Sequence, residues 1–312
     1  MLESISIIAP IFIIMMVGFG MGKTDVFPEG SGAARTFSTF TWYVAIPALI
    51  FKLLSSNRFP AGEEFLNVAG YYSVLYVIYF INVFLVAPKL NINKEGRGIF
   101  AISCVFGNLG FVGIPIVEGT LGNEGLRILL MIISFHMLTL LPITAFITEM
   151  SKSNTDSAWN VLSKSILKSI QNPVVISLVA GLSWSASGLD LSPIAKRILD
   201  FPAAAAAPVG LFAVGLSLSR VKLKGQLLPS TIPVIFKMVL LPIGVYSMMT
   251  FILDAPEIWV NTTTLAACMP TGFLAYSIAD QNDNGATRAA STIMIAAIVS
   301  SFSLLIAVSL LK

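Results

Sequence analysis

Charge is scarce in this chain. Only 11% of its 312 residues are Asp, Glu, Lys or Arg, where an ordinary soluble domain carries about 25%. That shortage excludes a soluble globular protein, which needs a charged skin. Histidine occurs once, at His136, which excludes an HExxH zinc site and most histidine-centred catalysis. The two cysteines, Cys104 and Cys268, fall inside apolar runs and read as small buried residues rather than a disulfide framework. No GxxxxGK[ST] loop is present, so ATP does not drive this chain directly. No intramembrane serine or aspartyl protease dyad can be assembled. The net charge of +3 gathers in no basic cluster interleaved with aromatics, so nucleic acid is not an expected partner.

Apolar residues fill the space that charge leaves. They make up 56% of the chain, and the mean hydropathy is +0.86. Runs long enough to cross roughly 30 Å of hydrocarbon recur along the whole length. Ten spans are predicted, at 3–22, 36–54, 66–88, 98–119, 125–149, 172–189, 201–219, 227–253, 258–280 and 287–311. The opening MLESISIIAPIFIIMMVGFGMGK carries Glu3 where a signal peptide is basic, so it reads as the first spanning helix. Only 150–171 is a long polar connection, and it separates 1–149 from 172–312, five spans each.

Lysine and arginine set the expected orientation. With both termini outside, twelve of the 19 fall on cytoplasmic connections: Lys23, Arg35, Lys89, Lys94, Arg97, Lys152, Lys164, Lys168, Arg220, Lys222, Lys224 and Arg288. Six fall on the outer connections and tail, at Lys52, Arg58, Arg127, Lys196, Arg197 and Lys312, and Lys237 lies within a span. This predicts a multi-pass plasma-membrane protein with 150–171 as a cytoplasmic loop.

The two halves resemble each other. Span one reads PIFIIMMVGFG from Pro10 and span six reads PVVISLVAGLS from Pro173, with Gly18 and Gly181 at equivalent places. Span two reads PALIFKLL from Pro47 and span seven PVGLFAVG from Pro208, with Phe51 and Phe212 equivalent. Span four carries Pro115 and span nine Pro270. Each matched pair is separated by about half the chain. An odd number of spans per repeat inverts the second half, an arrangement common in secondary transporters.

Within that pattern GNLGFVGIPIVEG, residues 107–119, is the most unusual stretch. Gly110, Gly113 and Pro115 break a helix where hydrocarbon punishes unpaired backbone. ACMPTGFLAYS does the same around Pro270, Thr271 and Gly272. Such breaks are tolerable where the unwound chain lines a protein-enclosed cavity, and half-helix amino termini there suit a carboxylate. Asn108 and Thr271 can add neutral hydrogen bonds. A plain proline kink packed on a neighbour is the alternative for either break alone.

Three further polar residues stand in the spans. Lys237 is about ten residues into span eight, as an attractor of an anion or a snorkelling side chain. His136 is a proton-coupling candidate or a hydrogen-bonded packing residue. Glu118 is a second coupling candidate or marks the outer interface.

Together GNLGFVGIPIVEGTLG (107–122), NPVVISLVAGL (172–182), APVGLFAVGLSL (207–218), FKMVLLP (236–242) and MPTGFLAY (269–276) resemble the auxin efflux carrier family. The similarity extends over essentially all ten spans. It implies an all-α fold of ten transmembrane helices in two inverted five-helix repeats, with helices four and nine broken and crossing near their prolines. It implies that Asn108 is the crossover asparagine and that Pro115 and Pro270 are the crossover prolines. The wider superfamily includes sodium–bile acid symporters. The short central loop is similar to that of compact microbial members, some of them associated with malonate and other small carboxylates. The expected activity is secondary transport of a small organic anion, without a cofactor, with proton or sodium coupling both open. A channel or ligand sensor on the same fold is the alternative, and a homodimer is implied by the resemblance alone.

Overall fold

The computed structural model describes residues 2–27, 32–56, 62–152, 158–219, 227–282 and 284–311. Arg58, Arg220, Lys222, Lys224 and Lys312, among the charges behind the expected orientation, lie outside them, as does part of the predicted central loop. The described residues are almost entirely helical, and their one β-bridge joins Gly107 to Thr271.

Among the described residues, six helical stretches are long and apolar enough to cross a membrane: Ala33–Ser55, Gly62–Lys89, Leu109–Ser151, Pro193–Leu218, Pro229–Ile252 and Ala286–Leu310. Leu109–Ser151 is 43 residues long, with Gly122 at φ 64° and ψ −160° inside it. That interruption falls in the predicted connection between spans four and five. Predicted spans four and nine are each divided, into Lys94–Val105 and a downstream arm from Leu109, and into Glu257–Ala267 and Leu274–Gln281. Apolar side chains cover much of the outside: Phe201 is 80% exposed, Phe251 76% and Phe302 70%. A surface of that kind fits hydrocarbon, not water.

Prolines shape the helices in a regular way. Among the described residues, Met248–Ile252 is a π segment with no proline two residues on, and five more occur at Thr41–Ala45, Asn82–Val86, Leu109–Gly113, His136–Leu140 and Phe236–Leu240. Each of these five ends two residues before a proline: Pro47, Pro88, Pro115, Pro142 and Pro242. A proline ring collides with the carbonyl four residues back and offers no N–H, so the ladder widens there. At helix starts proline is tolerated, and Asn172 caps Pro173–Ser187 by accepting from the Val174 N–H at 2.9 Å.

The glycines matched between the halves allow close packing. Gly18 lies against the backbone of Phe212, and Gly181 lies against Phe51 and Leu54. These are the residues matched in the sequence, paired crosswise: predicted span one rests on predicted span seven, and six on two. Accordingly Leu2–Met21 packs on Pro193–Leu218, and Pro173–Ser187 packs on Ile46–Ser55. A β-carbon at either glycine would hold the helices apart.

One charge departs from its expected setting. Arg127, assigned to an outer connection, is only 4% exposed and lies in the helical segment Ile114–Phe135. It forms a two-pronged ion pair with Glu64, itself buried, near the start of Gly62–Ile81. Pairing is the physical reason an arginine can leave water here.

Candidate functional site

The two broken helices meet at their breaks. The helix Lys94–Val105 ends at Phe106, which turns extended at φ −75° and ψ 109°. Asn108 follows at φ −76° and ψ 60°, and helix resumes at Leu109. On the other side Glu257–Ala267 ends, and helix resumes at Leu274. The Asn108 N–H donates to the Pro270 carbonyl at 2.7 Å, and the Gly272 N–H donates to the Phe106 carbonyl at 2.9 Å. Each unwound segment therefore satisfies the other's backbone, which resolves the cost of breaking a helix in hydrocarbon. Gly272 is required by the close approach, since a β-carbon there would run into the Phe106 ring.

Side chains reinforce the crossing. The Asn108 Oδ1 accepts from the Phe111 N–H at 3.4 Å and caps the downstream arm. Thr271 donates its hydroxyl to the Ser103 carbonyl at 3.3 Å, tying the second break to the first broken helix. Lys237 is fully buried, and its ammonium donates to the Ala267 carbonyl at the carboxyl end of Glu257–Ala267. A cation suits that negative end of the helix dipole. Lys237 is thus neither a snorkelling side chain nor a cation free in a cavity.

A cavity of about 10 Å³, the size of one water, opens at the crossing. Asn108, Gly110, Gly272 and His136 line it, together with Trp42, Phe106 and Phe273. The starts of both downstream arms, Leu109–Gly110 and Phe273–Leu274, border it. The first N–H groups of a helix have no partner within it, so this wall favours negative charge. Trp42, Met137, Phe273 and Leu274 also border a second, larger vestibule of about 1130 Å³. Its wall includes Arg35, Ser38, Thr39 and Ser217.

Of the residues singled out in the sequence, Asn108, Gly110, Gly272 and His136 come together around the small cavity. Gly113, Pro270 and Thr271 are buried behind it and shape the crossing, and Pro115 is half-buried one turn further on. Glu118 is exposed and lines neither cavity. Among the described residues, no group of three His, Cys, Asp or Glu side chains could hold a metal ion. Sequence reasoning missed the aromatic wall of Trp42, Phe106 and Phe273, which has no polar signature to betray it. It also missed Tyr72, which hydrogen-bonds the His136 ring from another helix. The Glu64–Arg127 pair did leave a signal: opposite charges stood at neighbouring span ends on one side of the membrane.

A family model described as "Membrane transport protein" matches residues 4–308. A Rhizobium meliloti protein named "Putative malonate transporter" is 28% identical over 316 aligned positions, covering 96% of this chain and 93% of the relative. A Methanothermobacter thermautotrophicus protein named "Uncharacterized transporter" is 22% identical, covering 94% of each chain. A similar uncharacterized transporter of Methanocaldococcus jannaschii is 24% identical, covering 95% of this chain and 94% of its own.

Proposed function

The chain belongs to the membrane transport protein family, and from that premise we propose that it is a secondary transporter of a small organic anion. The substrate class is a mono- or dicarboxylate, carried across the plasma membrane by alternating access. The observation that carries this reading is the crossing of two broken helices, whose downstream amino termini border one cavity with Asn108. Partial positive charge and N–H donors there fit a carboxylate. A relative named for malonate supports the same class.

The architecture behind it is ten helices in two inverted repeats of five. The crosswise contacts of Gly18 with Phe212 and of Gly181 with Phe51 support that symmetry. The vestibule collects Gly32–Ala33, Asn172–Pro173, Leu216–Leu218 and Ala286–Thr287. All of these are helix ends that the lysine and arginine bias assigns to the cytoplasm when both termini lie outside. The conformer is then the inward-open one, with Arg35 at its mouth to attract anions.

Counterflow of labelled malonate into proteoliposomes tests the proposal, with unlabelled competitors and imposed pH, sodium and voltage gradients. Saturable counterflow competed by other small carboxylates is the expected result, and the effective gradient identifies proton or sodium coupling. Folded protein that exchanges no small carboxylate would overturn it. Conduction far beyond carrier turnover would make the protein a channel, and binding without exchange would make it a sensor.

A further inference from the structure

Lys237 brings a buried cation to the crossing. It is fully buried in the segment Phe236–Leu240. Its ammonium donates to the carbonyl of Ala267, the last residue of Glu257–Ala267. Regular helix stops there and resumes only at Leu274, and no described backbone N–H reaches that carbonyl. The lysine stem also meets the first break. A β-carbon on Gly107 would stand 3.3 Å from the Lys237 Cε and 3.5 Å from the Ala266 carbonyl oxygen. Gly107 itself lines the small cavity. Among the described residues no carboxylate pairs with Lys237, and the ionisable groups that couple to it are Cys268 and His136. The ammonium is therefore held by the carboxyl end of a broken helix and not by an ion pair.

A half-helix carboxyl end beside unwound carbonyls is the setting in which secondary transporters bind a coupling sodium ion. A sodium ion and an ammonium answer the same need there, since each brings one positive charge to carbonyl oxygens. The ammonium differs in being tethered: it neither leaves with the substrate nor has to be loaded before it. We propose that the Lys237 ammonium is the resident cation of the crossing. It fills the place of a coupling sodium ion, so anion exchange runs without sodium. This rests on the carrier reading above and narrows its coupling. Because the lysine stem lies against Gly107, the charge also offsets part of that of an anion bound at the crossing.

The test measures counterflow of labelled malonate in proteoliposomes with sodium chloride on both sides, and again with choline chloride in its place. The wild type is expected to exchange equally in the two media. Lys237→Ser shortens the side chain and removes its charge, leaving room for a free ion. Its exchange is expected to fall at least about tenfold in choline and to recover in sodium. Lys237→Gln keeps a long hydrogen-bond donor without the charge, and its exchange is expected to fall in choline as well. Unfolding midpoints are measured in the same salts: sodium should raise that of Lys237→Ser and leave the wild type unmoved. A wild type that needs sodium overturns the proposal and leaves the carrier intact. So does full exchange by Lys237→Ser or Lys237→Gln in choline, or a folded Lys237→Ser that sodium neither restores nor stabilises. A wild type that exchanges no small carboxylate in either medium overturns the carrier reading instead, and the sodium-specific stabilisation of Lys237→Ser then decides the cation site. Should Lys237→Ser not fold, the wild type and Lys237→Gln still decide.

Discussion

At the scale of the residue, buried polar groups divide by what they hold. Asn108 does two things: its backbone N–H closes the crossing on Pro270, and its side chain caps the arm that begins at Leu109. Asn108→Ala keeps the first and loses the second. The expected cost is about 1 kcal/mol of stability, with normal membrane expression and at least about a tenfold fall in carboxylate counterflow. Unchanged kinetics would remove the side chain from the site. The Glu64–Arg127 pair lines neither cavity. Arg127→Met takes the arginine charge away from a buried carboxylate and is expected to cost roughly 3–5 kcal/mol, read as a lower midpoint of thermal unfolding. Adding Glu64→Leu should recover much of that loss, since two apolar side chains leave no charge stranded. Lys237 shows how a residue can be legible and its role not. A lysine ten residues into an apolar run announces burial, but only the fold shows that its partner is the Ala267 carbonyl, 30 positions away in sequence.

At the scale of the element, local chemistry explains more than helix propensity does. Proline positions account for five π segments, and His136 opens one of them. Pro142→Ala removes the clash that widens this turn, so a regular helix should form and rotate His136 relative to the residues behind it. The expected outcome is equal or higher thermal stability with impaired counterflow. Loss of both together would mean that Pro142 serves packing alone. Glycine gives a second element-scale case. Gly18→Val forces a branched side chain against the Phe212 backbone. It should destabilise by about 1–3 kcal/mol in thermal unfolding. Gly20, with nothing within 4 Å of a β-carbon, supplies the control: Gly20→Ala should hold or slightly raise the unfolding midpoint. Helix existence and the two breaks were legible because apolar length, glycine and proline are local properties. Arg127 was misassigned because the edge of a span cannot be told from a connection without knowing what lies opposite.

At the scale of the whole molecule, the wide vestibule and the small cavity share the side chains of Trp42, Met137, Phe273 and Leu274. The vestibule wall includes helix ends that the proposed orientation assigns to the cytoplasm. With Cys104 and Cys268 replaced by alanine, Thr39→Cys in the vestibule wall should react with a membrane-impermeant maleimide from the cytoplasmic face alone. Reaction from the outer face would reverse the orientation. The sequence by itself determined that the chain lives in a membrane, since charge this sparse cannot cover a soluble surface. It also determined where two helices must break, because the breaks are written in single residues and their spacing. The tertiary structure alone decided that the breaks satisfy each other through Asn108 with Pro270 and Gly272 with Phe106. It alone decided that Gly18 rests on Phe212 and Gly181 on Phe51 and Leu54. Hydrogen bonds and close contacts between residues more than a hundred positions apart follow from packing in three dimensions, and no local pattern encodes them.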